Sequence, residues 1–306
     1  MSAHPPGAVA GGSMQLPWLP PGRLVAVPGR GEVFVRHHQH PDPNAPTVLL
    51  LHGWTASADL QFFMAYEQLA AAYSFVGVDH RGHGRGLRTA EPFRLEDAAD
   101  DAAGVLRALG LDRVVTVGYS MGGPISLHLA RRHPDLVAGL VVEATALEWR
   151  ARWSDRARWR MVPLLGSLLR SWTYPRLLHQ GVARMLGPGH PLQPVTPWLE
   201  AEARRGDPVA IVQAGRALSR YDARPWAGQL DRPAAALITT RDRLVMPRRQ
   251  RQLADALGAH SRELVGDHLA PWELPHEFSA LTRELVDHVV ARLAPAGGHP
   301  FSSGRG

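Results

Sequence analysis

The sequence predicts an α/β protein: a mostly parallel eight-stranded sheet flanked by helices, with a helical segment inserted between two of its strands. Three observations carry that reading. Short apolar or β-branched runs alternate with stretches of helical spacing along most of the 306 residues, as parallel strands joined by crossover helices require. One run, residues 114–117, enters a tight corner at Gly118-Tyr119-Ser120-Met121-Gly122, and a helix starts straight after it. The alternation stops near residue 147 and resumes at residue 234.

The elements follow in order. Residues 1–22 are a Pro/Gly-rich lead expected to be disordered, with Met14 an alternative start. Residues 24–27 and 32–38 flank Pro28-Gly29-Arg30-Gly31 and read as a hairpin. Thr47–Leu51 is a continuous apolar run, as a strand buried on both faces should be, and it ends in His52-Gly53-Trp54. Residues 59–72 place Leu60, Phe63, Met64 and Leu69 near one helical face. Residues 75–78 form the next strand, ending at Asp79. The loop Arg81-Gly82-His83-Gly84-Arg85-Gly86 is no phosphate loop, because it lacks the Lys-Ser/Thr that would hold phosphate and metal. Residues 95–109 read as an amphipathic helix with acidic residues in its first turns, where they suit the dipole. After the corner helix, His133-Pro134 stops the turn and residues 137–142 give another strand. Residues 147–226 are rich in Arg and Trp, with helical pieces broken by Pro188-Gly189-His190-Pro191 and Pro194. The sheet resumes at Ala234–Thr239, followed by a helix over 248–257, a strand over 262–265 and a closing helix over 276–293. The domain reading is a core of residues 23–146 and 227–294, an insertion of residues 147–226, and a disordered tail of residues 295–306.

Composition narrows the class. A hydrophobic content of 45% suits a globular chain, and no apolar run approaches the ~20 residues needed to span a bilayer. With no leader pattern the expected location is cytoplasmic. The chain has no cysteine, so it has no disulfide or thiolate metal site. All 34 basic residues are arginine and the net charge is +6. They are spread along the chain, which reads as a compositional bias. No nucleic-acid partner is expected.

The corner at Ser120 carries chemistry. Its pattern is G-x-S-x-G between a strand and a helix: a strained turn that holds a serine oxygen clear of the backbone. The free N–H groups of the helix N-terminus favour negative charge beside it. A serine so placed can attack a carbonyl and have the oxyanion stabilised.

Four blocks in this order resemble the α/β-hydrolase fold family over residues 24–293. They are Leu51-His52-Gly53-Trp54, Asp79-His80-Arg81-Gly82-His83-Gly84, Gly118-Tyr119-Ser120-Met121-Gly122-Gly123, and Thr240-Arg241-Asp242 with Gly266-Asp267-His268. The resemblance implies that the insertion is a helical cap. It also implies that Asp79 is a buried structural carboxylate and that His80 and His83 belong to a structural turn.

In this fold the nucleophile, the acid and the histidine follow in that order. Ser120, Asp242 and His268 do so, each just past a strand end. A serine hydroxyl needs a base to take its proton, and a carboxylate to fix the base's tautomer. Glu143 also ends a strand and is the alternative acid. Asp267 adjoins His268 too closely to orient it, and His276 is expected to open the last helix facing solvent. The oxyanion hole needs two backbone N–H groups, expected from Met121 and Trp54. His52 is expected to be a turn residue. His37, His38 and His40 read as a solvated loop, so no metal and no cofactor are expected.

The expected activity is therefore serine hydrolysis of an ester, lactone or thioester of a small to medium apolar acid, through an acyl-enzyme. The partner is a small acyl substrate, and membrane contact is not expected. Perhydrolase or haloperoxidase-like chemistry and C–C bond hydrolysis are alternatives within the fold. A slow-turnover ligand receptor is the alternative outside catalysis.

Overall fold

A computed structural model describes residues 17–150 and 153–293 of the chain. The lead to residue 16, Met14 within it, Arg152 and the tail from residue 294 lie outside the described residues, as do the side chains of Trp153 and Arg158.

The sheet has eight strands: β1 Gly22–Val27, β2 Gly31–His38, β3 Thr47–Leu51, β4 Ser74–Val78, β5 Val114–Tyr119, β6 Val137–Glu143, β7 Ala234–Thr239 and β8 His260–Leu264. Their order is β1-β2-β4-β3-β5-β6-β7-β8. Only β2 runs against its neighbours, pairing antiparallel with β1 and β4. The remaining pairs are parallel, which puts the ends of β3, β5, β6, β7 and β8 on one edge.

Helices cover both faces, so the central strands are apolar on both sides. Alternate residues of β3 make the point. Leu49 and Leu51 pack with α3 (Leu95–Ala108) and α4 (Gly122–Arg132), whereas Val48 and Leu50 face the cluster of α1 (Ala58–Phe62), α2 (Tyr66–Ala70) and α12 (Pro275–Leu293). This is the two-residue period of a strand buried in a three-layer fold.

The helix expected over residues 59–72 is two short ones, α1 and α2. Ser57 caps α1 by accepting from Leu60 N, and a tight bond from Ala65 N to Phe62 O at 2.8 Å ends the run. The one-face pattern misleads because Asp59, Leu60, Phe62, Phe63 and Tyr66 are all buried. Asp59 takes the Arg36 guanidinium at 2.7 Å. The lead also engages earlier than expected. Trp18 packs edge-on against His38 at 5.6 Å, and Arg36 donates to Pro20 O at 2.9 Å. His37 and His38 are half-buried on β2, not in a solvated loop.

Between β6 and β7 the described residues form five α-helices: α5 Trp153–Arg160, α6 Val162–Arg170, α7 Tyr174–Leu186, α8 Thr196–Ala203 and α9 Pro208–Leu218. Proline sits at the start of α6, α7, α8 and α9, where its missing N–H costs nothing. The two ends of the segment meet where Ala223 N donates to Leu147 O at 2.7 Å. The segment is tied down by Arg85 to Glu202, by Asp207 N to Gly82 O at 2.8 Å, and by Trp54 Nε1 to Ile211 O at 2.7 Å. After β7 come α10 (Pro247–Ala256) and a short α11 (Ala270–Glu273) that the sequence did not announce. Among the described residues no helix is long and apolar enough to cross a membrane.

Candidate active site

β5 delivers Ser120 to the sheet edge, and the corner that follows is strained. Ser120 has φ of 52°, a left-handed value rare for a residue with a side chain. The glycines are required by space. A Cβ on Gly122 would overlap the Leu51 carbonyl oxygen, and one on Gly118 would overlap the Gly122 carbonyl oxygen. Ser120 N donates to Glu143 O at 2.8 Å, pinning the corner to the end of β6.

Two further loops converge on this point. Arg241 N donates to Gly266 O at 3.0 Å and Thr240 N to Leu264 O at 2.9 Å, which laces the loop after β7 to the loop after β8. Asp242 and His268 are thereby set side by side. His268 Nε2 lies 2.9 Å from Ser120 Oγ, and His268 Nδ1 lies 2.7 Å from Asp242 Oδ2. The Asp242 side chain has no exposed surface. Its Oδ1 accepts from Leu244 N and Val245 N at 2.8 Å each, and its Oδ2 also accepts from Thr239 Oγ1 at 3.0 Å and Gln250 Nε2 at 3.2 Å. A carboxylate so fully bonded is fixed in place, and it holds His268 with a proton on Nδ1 and a free Nε2 facing the serine.

The other candidates lie elsewhere. Glu143 is turned to α12, where its Oε1 accepts from Thr282 Oγ1 at 2.8 Å, and burial pushes its carboxyl up to about 8. Asp267 accepts from Leu269 N in its own loop at 2.6 Å. His276 is exposed at the start of α12. Asp79 is buried and accepts from Ala58 N and Arg85 N at 2.8 Å each.

His52 is fully buried, and its role is readable from its partners. Its Nε2 accepts from the His80 backbone N–H at 3.0 Å, so the ring proton is on Nδ1, which donates to Gly53 O at 2.7 Å. Burial first, and then the neighbouring His80 and His83 rings, hold its pKa well below the usual histidine value, so the ring is neutral. Since one peptide's C=O and N–H point opposite ways, the Trp54 N–H is turned away from the His52 ring. Among the described residues neither the Trp54 nor the Met121 amide donates to another protein group. Both remain available to an oxyanion.

Above Ser120 is a cavity of about 400 Å³. Core residues Trp54, Leu244 and Trp272 wall it on one side, and Trp159, Val162 and Leu165 on the other. Among the described residues its lining holds no Arg, Asp or Glu. Such a space fits a neutral apolar group next to the serine.

Sequence reasoning missed several residues. Thr239 and Gln250 support Asp242, and the Tyr119 hydroxyl donates to His268 O at 3.0 Å. Gln61 lines the cavity. Only Tyr119, inside the corner motif, had a signal that could have drawn attention to it. No group of three His, Asp or Glu side chains is placed to hold a metal among the described residues.

Comparison with known proteins bears on the family and the fold. Residues 46–273 match the family described as alpha/beta hydrolase fold. The chain is 29% identical over 262 residues to the pimeloyl-[acyl-carrier protein] methyl ester esterase of Neisseria meningitidis serogroup C, covering 79% of this chain and 94% of that one. Among solved structures, a hydrolase from Pseudomonas aeruginosa superposes with a TM-score of 0.73 at 18% identity, over 87% of this chain and 98% of that one. An esterase from Exiguobacterium antarcticum gives 0.73 at 20% identity, over 87% and 99%.

Proposed function

The chain belongs to the alpha/beta hydrolase family, and on that premise we propose that it is a serine esterase acting on neutral, largely apolar carboxylic esters, lactones or thioesters. The observation that carries this is the Ser120–His268–Asp242 chain of contacts, at 2.9 and 2.7 Å, at the foot of an apolar cavity. The esterase names of the relatives support it.

Ser120 Oγ bonds to the carbonyl carbon as its proton passes to His268 Nε2. The imidazolium is stabilised by Asp242, and the oxyanion is held by the Trp54 and Met121 amides. The bond from the carbonyl carbon to the leaving oxygen, or to sulfur in a thioester, then breaks, and that atom takes the proton from Nε2. Water repeats the sequence on the acyl-enzyme, with His268 as base, and releases the acid. Residues 147–226 act as a cap over the core of residues 23–146 and 227–294. They keep bulk water from the acyl group and strengthen the electrostatics beneath.

The test is labelling with a fluorophosphonate and turnover of short p-nitrophenyl esters. The native chain should be labelled at Ser120 and should turn over. Ser120→Ala should lose both, and His268→Ala should lose a factor on the order of 10³ or more in turnover. Labelling at another serine, or a Ser120→Ala protein that still hydrolyses the esters at the native rate, refutes the assignment.

A further inference from the structure

Among the described residues, the lining of the cavity above Ser120 includes a side-chain amide with no protein acceptor, that of Gln61. Gln61, on α1, is 7% exposed, and what exposure it has opens into that cavity. Its Oε1 faces Gly53 N at 3.4 Å, and among the described residues no protein acceptor stands against its NH₂ end. The site is close to the chemistry. A methyl placed on Gly53 would lie 3.2 Å from Gln61 Oε1 and 3.4 Å from Ser120 Cβ, so carboxamide and nucleophile flank the same glycine.

The other polar groups of the lining are accounted for. Trp54 Nε1 donates to Ile211 O, Trp159 Nε1 to Trp149 O and Trp272 Nε1 to Leu60 O. The Tyr119 hydroxyl donates to His268 O. Trp149 Nε1 has no partner, but it is buried in the wall and does not open into the space, and Thr55 sits at the exposed rim, where water serves it. An amide donor left unmade in an apolar space is costly, and ligand sites place a few polar groups in apolar walls to fix orientation.

The geometry points to Gln61 as a recognition residue: its NH₂ donates to a second, neutral acceptor on the substrate, close to the scissile carbonyl. The substrate class is then a neutral ester bearing an ether, keto or lactone-ring oxygen near the reacting carbon, as in β-keto or β-alkoxy esters. The main-chain amides of Trp54 and Met121 already serve the oxyanion, so Gln61 is free for this second oxygen. With no Arg, Asp or Glu among the described lining residues, no ion pair is on offer there, which suits a neutral acceptor. The inference rests on the esterase reading and narrows it.

A matched pair of substrates tests it: p-nitrophenyl pentanoate and p-nitrophenyl β-methoxypropanoate, which differ only by an ether oxygen in place of a methylene. Gln61→Met keeps the volume and removes both polar ends. The variant should lower kcat/KM on the methoxy ester by about fivefold to tenfold, with the pentanoate changed by less than about twofold. Equal losses on both esters would make Gln61 a support of the oxyanion loop and overturn the inference, as would no change on either. If the native chain hydrolyses neither ester, the esterase reading fails and this inference falls with it. If it hydrolyses both and the ratio does not move in the variant, only the role of Gln61 is lost.

Discussion

The Tyr119 hydroxyl donates to the backbone carbonyl of His268 at 3.0 Å, across 149 residues of sequence. The residue before the nucleophile thus holds the loop that carries the base. The Tyr119 ring also packs 5.6 Å from the His268 ring and edge-on to Phe278 at 5.6 Å. The contact registers β5 against the loop after β8, which no neighbouring strand pairing does directly.

Tyr119→Phe should therefore keep the packing and lose the register. We expect kcat to fall about threefold to tenfold with KM nearly unchanged, because the change affects how His268 meets Ser120 and not how the substrate is bound. Stability should fall by about 1 kcal/mol. Steady-state kinetics with urea unfolding check both. A rise in KM at constant kcat would show that Tyr119 serves the cavity wall instead.

Glu143 separates a structural carboxyl from a catalytic one. It is fully buried, its Oε2 has no partner among the described residues, and burial pushes its carboxyl from 4.5 up to about 8. Between those values the unfolded chain has released this proton and the folded chain keeps it. Stability from this group is therefore full below about 4.5 and declines as pH rises to about 8. Glu143→Gln should remove the decline. It should be the more stable protein, by up to a few kcal/mol, at pH about 8, and show no such advantage at pH about 4.5. Turnover should stay within about threefold of native, since the side chain meets Thr282 and not His268. Chemical denaturation at the two pH values checks the sign. A loss of activity on the order of 10³ would restore Glu143 as the acid.

The parallel strands were legible because a strand buried on both faces must be apolar without interruption. Thr47–Leu51 and Ala234–Thr239 meet that condition, and both stand where the sequence puts them. β8 was less legible because its first four residues are all polar or charged and exposed, and it starts at His260, not residue 262. The corner at Ser120 was legible because its glycines answer to backbone overlap that no other residue can avoid. The split between α1 and α2 was not, because burial on every side erases helical periodicity. Neither were Gln61, Thr239 and Gln250. Each acts through a contact the fold creates, such as Gln250 Nε2 reaching Val245 O at 2.6 Å and Asp242 Oδ2 at 3.2 Å, and no spacing along the chain encodes it.

The last prediction concerns what limits the acyl chain. Trp159, at the end of α5, faces Trp54 at 5.8 Å between ring centroids and anchors its Nε1 on Trp149 O at 2.7 Å. Both rings line the cavity, one from the proposed cap and one from the core, so together they bound its depth. Trp159→Ala removes the cap half of that wall. Each additional buried methylene is worth about 0.8 kcal/mol, so the newly opened space should favour longer chains. We expect the kcat/KM ratio of p-nitrophenyl octanoate to butanoate to rise about tenfold, with fluorophosphonate labelling of Ser120 retained. Trp172 supplies the control. It belongs to the same inserted segment but is 79% exposed and outside the cavity lining, so Trp172→Ala should leave the ratio alone. A labelled, folded Trp159→Ala protein with the native chain-length ratio would place the limit on core walls such as Trp272. Trp159 would then have no part in acyl specificity.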